Sequence, residues 1–471
     1  MSALREVITG GAWGDSGKGK IVDERIYVAK CLNNKRIIVL RYNGGPNAGH
    51  SVFFELGGKL YWFATHAAPS GVVQGTDLGI GSHVALDPKK FLREVSEARE
   101  KFGFDGRIMI SDRAGVLMDY HQKLDAWWEN LAGANAIGTT KSGIGPFYAD
   151  NARRSTRLTF ADYVSDQFPD RLREILELKE TELFASKTVK RKWLFFKKKG
   201  LNDYLDKLVA EHDLVRRELR PFAENLEYRL QEYMRNGDNV ILETAQGTGL
   251  DVDQGTLPDV SSSHVLAPQG LASLGLSRKD FTVYLVEKVY DTRVGNGVLP
   301  TLMPSELADR IVECAGEKGV TTGRRRRPGY PDWVMELRSI LLNDADGVYL
   351  TRADIVQDTS LLVCTAYSVD GKDSIEVPLD LRRVTPVYGE NAQWHLWGGP
   401  KDLSRPVEVH AQLRDVRREF VERGLEGLTG GLRDYVDCHN EYMARYTKRG
   451  CPIVGIGIGP ARGETIVRKT A

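Results

Sequence analysis

The chain has 471 residues, 41% hydrophobic and 27% charged, with a formal net charge of +1. That is enough chain for one large domain or two medium ones, and nothing in the overall charge balance points to nucleic acid. No apolar stretch is long enough to span a bilayer, and MSALREVITG enters a strand-like run with no basic region and apolar core before it, so a cytoplasmic location without a membrane is expected. Cys31, Cys314, Cys364, Cys438 and Cys451 are odd in number and lack C-x-x-C spacing, which points to neither a disulfide framework nor a zinc site.

The first element is a short apolar run that opens into GGAWGDSGKGKIVD, Gly10 to Asp23. Its glycines let backbone N–H groups approach phosphoryl oxygens at a helix N-terminus, and Lys18 and Lys20 add point charge. Gly14, Gly19 and Lys20 satisfy G-x-x-x-x-G-K, but Ile21 stands where a Ser or Thr would hold magnesium, which makes Asp15 the candidate metal ligand. A strand over Arg36–Arg41 leads into RYNGGPNAGHS, a tight turn with Asn47, Gly49 and His50 that brings an imidazole within reach of a phosphoryl group. After a strand at Arg107–Ile110, IGTTKSGIGPFYADNARR (Ile137–Arg154) supplies two threonine hydroxyls and paired arginines, suited to a phosphomonoester.

From about 162 to 236 the glycines thin out and the chain turns charged and helical, with Leu172, Leu176, Leu178 and Leu183 early and Leu208, Val215 and Leu219 later. Within it Lys187–Lys199 is a basic arm around Trp193 and Phe195, read first as a solvated surface arm and second as an anion or polynucleotide contact. A strand at Asn239–Leu242 precedes ETAQGTGLDVDQGTLPDVSSSH, where Gln246 offers an amide to a heterocycle edge and the serines offer hydroxyls to phosphate. Phe281–Val286, Gly347–Leu350 and Leu361–Ala366 complete the strand-like runs. Between them GVTTGRRRRPGYPD (Gly319–Asp332) sets four arginines in a Gly/Thr loop, better suited to clamping a dicarboxylate than to a nucleic-acid patch. The alternation predicts an α/β fold around a mainly parallel, buried sheet, with a P-loop-like phosphate loop and an added helical subregion.

Taken together, GDxGKGK, GGxNAGH, IGTTxxGIGP, AQGTxLDxDxGTxPxVxSS and TTGRRRR resemble the adenylosuccinate synthetase family, from about Val7 to the C-terminal GIGIGPARGETI. The resemblance implies one unit over 1–471 and a reaction that joins IMP and L-aspartate with GTP hydrolysis through a 6-phosphoryl nucleotide, in purine synthesis. It implies magnesium held by Asp15 and the Gly49 carbonyl, with Asp15 as base, and His50, Lys18 and Gln246 at the transferring group. IMP contacts fall on Asn47, Thr140, Gln246, Ser261, Arg324 and an Arg154 donated across a homodimer. Aspartate contacts fall on Thr321, Thr322, Arg324 and Arg326; GTP contacts fall on Gly14, Gly17, Lys18, Gly19, Lys20, Arg326, Arg352, Asp354, Gly457 and Gly459.

Departures from the family pattern are equally specific. The usual Q-W-G-D-E-G has Ala12 for Gln and Ser16 for Glu, and Pro46 replaces a common His. Arg352 replaces the Lys of T-K-x-D, and Gly457 stands where many relatives have Ser. Loss of a carboxylate beside Asp15 alters the field at metal and phosphate. These changes carry a second expectation, a paralogue that acts on another purine nucleotide such as dGMP or uses ATP. A third is a nucleotide- or RNA-binding protein on the same fold that has lost the reaction.

Overall fold

The computed structural model describes residues 3–133, 136–179, 200–319, 323–356, 359–389, 392–394, 421–428 and 430–468. The apolar runs IIVLR and NVILE are buried at every position, the pattern of strands covered on both faces. They lie within a ten-stranded sheet. Across it the strands run Thr465–Val467, Ile453–Gly457, Gly347–Thr351, Thr282–Lys288, Arg5–Gly10, Asn239–Glu243, Ile37–Arg41, Asp77–Ile80, Ile108–Ser111 and Ala223–Glu224. Every neighbouring pair is parallel except the first, which is antiparallel.

Side chains that alternate along these strands sort to opposite faces. Ile8, Val39, Ile241 and Val286 pack with Ile21, Val22 and Ile26 of the helix Lys18–Leu32. Val7, Leu40, Leu242 and Leu285 pack on the other face with Trp333, Leu337 and Ile340 of the helix Trp333–Asn343. Because the strands are parallel, the loops after Gly10, Arg41, Glu243, Lys288 and Thr351 all leave the same edge of the sheet. An open parallel sheet binds its ligands there.

The charged region folds as helices Phe160–Val164, Phe168–Leu178, Gly200–Leu219 and Leu226–Asn236. Leu172, Leu176, Leu208 and Leu219 pack against Phe91 and Val95 of the helix Pro88–Phe102, whereas Leu178 is exposed. Lys179, buried, pairs with Asp150 at 2.6 Å, and His121 Nε2 lies 3.0 Å from the same carboxylate, so the region is tied to the helix Ile144–Arg153. Leu183 and the arm Lys187–Lys199 lie outside the described residues.

One expected strand does not join the central sheet. Leu361–Ala366 is interrupted: Thr359–Leu361 pairs with Ala392–Trp394, and Cys364–Val369 belongs to a separate three-stranded antiparallel sheet. The flank beside Gly347–Thr351 is already taken by Ile453–Gly457, and Leu361, Val363 and Cys364 bury themselves in clusters with residues of the helix Trp333–Asn343 instead. Among the described residues no helix is long and apolar enough to cross a membrane. Leu242→Ala, which empties a fully buried position in a central strand, is expected to cost about 2–5 kcal/mol in urea or thermal unfolding.

Candidate active site

The phosphate loop is shaped by its backbone. Gly17 caps the helix Lys18–Leu32 at φ 88°, a left-handed conformation that only glycine adopts freely, and Asp15 takes φ 54° despite its side chain. Gln246 at φ 62° and Arg352 at φ 63° share this strained region. Such residues concentrate where surrounding structure imposes the geometry, commonly at functional sites. Lys18 donates to the Gln246 carbonyl at 2.7 Å, so the loop is moored to the next glycine-rich segment. Burial lowers Lys18 to about 8, against the opposing pull of Asp15, Glu287 and Glu243.

His50 begins the strand after the second glycine loop, and its Nδ1 bonds to Glu243, which also accepts from the Ser70 amide at 2.8 Å and from the Ser70 hydroxyl. Burial opposes charge on Glu243, but His50, Arg41 and Ser70 outweigh it and hold the carboxyl down at about 2. Burial in turn pushes His50 down to about 4, against the pull of Glu243. At neutral pH the pair is therefore an uncharged ring whose Nδ1–H donates to a carboxylate, with Nε2 as the remaining ring nitrogen.

The arginine loop closes this arrangement. Arg326 is nearly buried and is held between two acids, donating from Nε to Asp15 Oδ2 at 2.8 Å and from Nη1 to Glu317 at 2.5 Å. Glu317 also takes Lys288 at 2.8 Å and Tyr290 at 2.7 Å. Although burial favours its neutral form, Lys288, Arg326 and Arg352 hold it far below the usual carboxylate range. Arg324 reaches the Gly- and Thr-rich loop that begins at Ile137, donating to the Gly138 carbonyl at 2.8 Å and the Thr139 carbonyl at 3.0 Å. That loop is folded around Asp125 and Glu129, which accept from Gly143 N–H at 2.8 Å and Gly138 N–H at 3.0 Å.

These segments wall one cavity of about 710 Å³. Gly14, Asp15, Gly17, Lys18, Gly19, Lys20, Asn47, Gly49 and His50 line it. So do Thr140, Gln246, Ser261, Arg324, Arg326, Arg352, Asp354 and Gly459. Gln246 Oε1 is buried without a hydrogen-bond partner, an acceptor turned to no protein group, while Ser261 shares a hydroxyl contact with Ser263 at 3.1 Å. Lys20 does not act as a loose point charge, because its ammonium bonds Glu24 and the Thr465 hydroxyl. Gly457 lies just behind the wall, where an added Cβ would meet Lys20 Cε at 3.7 Å, an ordinary contact. Arg154 is exposed on the surface at φ 63° and does not line the cavity. Thr321 and Thr322 fall outside the described residues.

Several groups at the site carry no local sequence signal. Glu243 is 193 residues from His50, and Glu317 stands before its loop as an ordinary acid. Arg293 is fully buried, with its guanidinium 4.1 Å over the Trp13 ring and a bond to the Asp259 carbonyl at 2.8 Å. Only the fold brings each to the cavity or its support.

A cavity of this size, walled by a phosphate loop and by arginines, marks an α/β enzyme that binds nucleotides through their phosphates. Comparison with known proteins narrows that class. The family model for adenylosuccinate synthetase matches residues 7–466. The adenylosuccinate synthetase of Desulfatibacillum aliphaticivorans is 34% identical over 98% of both chains, and that of Mycobacterium marinum is 35% identical over 98% of both. The fully ligated enzyme from Plasmodium falciparum superposes with TM-score 0.81 at 26% identity, covering 99% of this chain and 100% of that one. The succinoaminodeoxyadenylate synthetase of cyanophage S-2L, solved with dGMP and with dATP as energy donor, gives TM-score 0.58 at 16% identity over 100% and 97%, a likeness of fold. The chain belongs to the adenylosuccinate synthetase family and is a ligase.

The His50–Glu243 pair gives a pH signature. The unfolded ring titrates near 6.5 and the folded one near 4, so the unfolded chain binds more protons in that window and stability falls as pH drops through it. A His50 ring resonance with its titration midpoint near 4, and a smaller stability loss over the window in His50→Gln, are the expected results.

Proposed function

We propose that this ligase forms adenylosuccinate from IMP and L-aspartate, with GTP giving GDP and phosphate. What carries the reading is the convergence of Asp15, Lys18, His50, Gln246 and Arg326 on one cavity. Oxygen 6 of hypoxanthine is a poor leaving group and is phosphorylated first. Asp15, oriented by Arg326, takes the proton from N1, and O6 attacks the γ-phosphorus as the bond to GDP breaks. The aspartate amine then attacks carbon 6, the bond to O6 breaks and phosphate leaves as the amine gives up a proton. His50 faces the transferring group with Nε2, and the arriving negative charge favours protonation there, so the ring donates to a phosphoryl oxygen.

Asn47, Thr140, Gln246, Ser261 and Arg324 hold the monophosphate, with Gln246 Oε1 as an acceptor for the base. Thr321, Thr322, Arg324 and Arg326 hold aspartate. The donor lies along Gly14, Gly17, Lys18, Gly19 and Lys20 toward Arg326, Arg352, Asp354, Gly457 and Gly459. The Asp15 carboxylate and Gly49 carbonyl are hard oxygen donors in residues that line one cavity, a set that fits Mg²⁺. When bound, that ion neutralises charge on the phosphates. One unit over 1–471 carries the reaction, in the cytoplasm, as a homodimer in which Arg154 crosses to the neighbour's 5′-phosphate; its exposed position fits this role.

A matrix of IMP, dIMP, GMP and dGMP against GTP and ATP, with L-aspartate and Mg²⁺, tests the reading by mass spectrometry. Succino-nucleotide from IMP with GTP is expected; product only from a guanine nucleotide would overturn it. Asp15→Ala is expected to lose about 10²–10⁴-fold in kcat while IMP still binds in calorimetry. Arg154→Leu is expected to raise KM for IMP more than for GTP. Mixing it with Lys18→Ala should restore part of the activity once subunit exchange is demonstrated, and no rescue would argue against a shared site.

A further inference from the structure

One buried carboxylate beside the phosphate loop has no part in the chemistry above. Glu287 lies near the end of the strand Thr282–Lys288, 6% exposed, and its Oε1 accepts the Ala12 N–H at 2.7 Å. The strand register creates the contact: Gly10 pairs with Val286, and Gly11 N–H donates to the Val286 carbonyl at 3.1 Å, which puts the next side chain directly against the loop. A Cβ on Gly11 would fall 1.4 Å from Glu287 Oε1, so the carboxyl fills the space that glycine leaves open. The contact ends on Ala12, one of the two positions where the loop departs from its family pattern.

The surroundings of Glu287 do not favour a charge there. Glu336, within the helix Trp333–Asn343, Asp332 at its cap and Asp291 after the strand are all acids, and Lys18 is the cation on the loop side. Burial, reinforced by Glu336, pushes Glu287 up to about 8 against the Ala12 N–H and Lys18. An apolar side chain would avoid that burial cost but would leave the Ala12 N–H without its acceptor. The loop is held at its far end as well, where the Thr351 hydroxyl donates to the Ser16 carbonyl at 2.7 Å. Asp15 sits between these two fixings and Lys18 just beyond them.

We infer that Glu287 is a positioning residue for the phosphate loop, fixing the Ala12 amide from behind and thereby the placement of Asp15 and Lys18 against the transferring phosphoryl group. The inference rests on the loop roles proposed above. Its consequence falls first on the phosphoryl donor: Gln246 shares the mooring to Lys18, but the segment that presents Thr140 is anchored through Asp125, Glu129 and Arg324 and does not depend on this contact.

Full-length Glu287→Gln and Glu287→Leu, compared with the parent enzyme, test it through kcat, the three KM values and IMP binding by calorimetry. The glutamine keeps an oxygen acceptor and is expected to stay within about 3-fold of the parent in kcat and in KM for GTP, whereas the leucine lowers kcat/KM for GTP by about 10-fold or more and changes IMP affinity less than about 3-fold. The inference is overturned if the glutamine variant falls as far as the leucine variant, if a folded leucine variant keeps its kcat/KM for GTP, or if it loses IMP binding in step. Parent turnover of IMP with GTP is the control for the reaction itself. Should that fail, binding of a non-hydrolysable GTP analogue to the same three proteins still reads the loop's grip.

Discussion

The parallel pairing of Arg5–Gly10 between Asn239–Glu243 and Thr282–Lys288 is the constraint from which the site follows. Ile8 lies opposite Glu243 and Gly10 opposite Val286, so the segments after these strands start at fixed offsets from the phosphate loop. The Gln246 carbonyl then meets Lys18, while Thr248 and Gly249 donate to the Gly11 and Ala12 carbonyls at 2.7 Å. A slip of one residue would turn Glu243 to the other face of the sheet and away from His50. Register, set by the burial of apolar residues on both faces, is thus also the device that aligns the polar groups.

Charge at the cavity is handled by pairing rather than by solvent. Arg326 joins Asp15 to Glu317, and Glu317 joins Arg326 to Lys288 and Tyr290. His50 is joined to Glu243 and through it to Ser70. Buried charges are costly unless paired and hydrogen-bonded, and here each partner also fixes the orientation of the next. The result is a preorganised set of dipoles and charges around the cavity, the kind of arrangement from which electrostatic stabilisation of a transition state is obtained.

The departures from the family pattern have distinct structural settings. Ser16 is buried with its hydroxyl unpartnered, and its carbonyl is tied to Thr351, so its shorter side chain leaves the loop anchored. Arg352 is held in the left-handed region, where Glu317 and Asp354 favour its charge although burial opposes it. At Gly457 the space for a larger residue is present, since the nearest atoms to an added Cβ are the Leu350 carbonyl and Thr351 Cα, both at 3.5 Å. Pro46 keeps its loop in place through its carbonyl, which accepts Lys90 at 3.3 Å.

The sequence by itself determined the α/β class, most strand positions and the loops that form the cavity, because each depends on short-range physics. Apolar runs of strand length must be buried, and glycines mark where backbone must turn or approach closely. It also determined the family, since the five loop motifs stand in one order along the chain. Only the tertiary structure decided that the run at Leu361–Ala366 leaves the central sheet, that Lys20 is held by the Thr465 hydroxyl 445 residues away, and that Arg326 orients Asp15 from 311 residues away. It alone set Glu243 against His50 and Glu287 against Ala12. Those contacts join segments hundreds of residues apart through the order of strands in the sheet, and no local pattern around an isolated glutamate encodes which loop it will face.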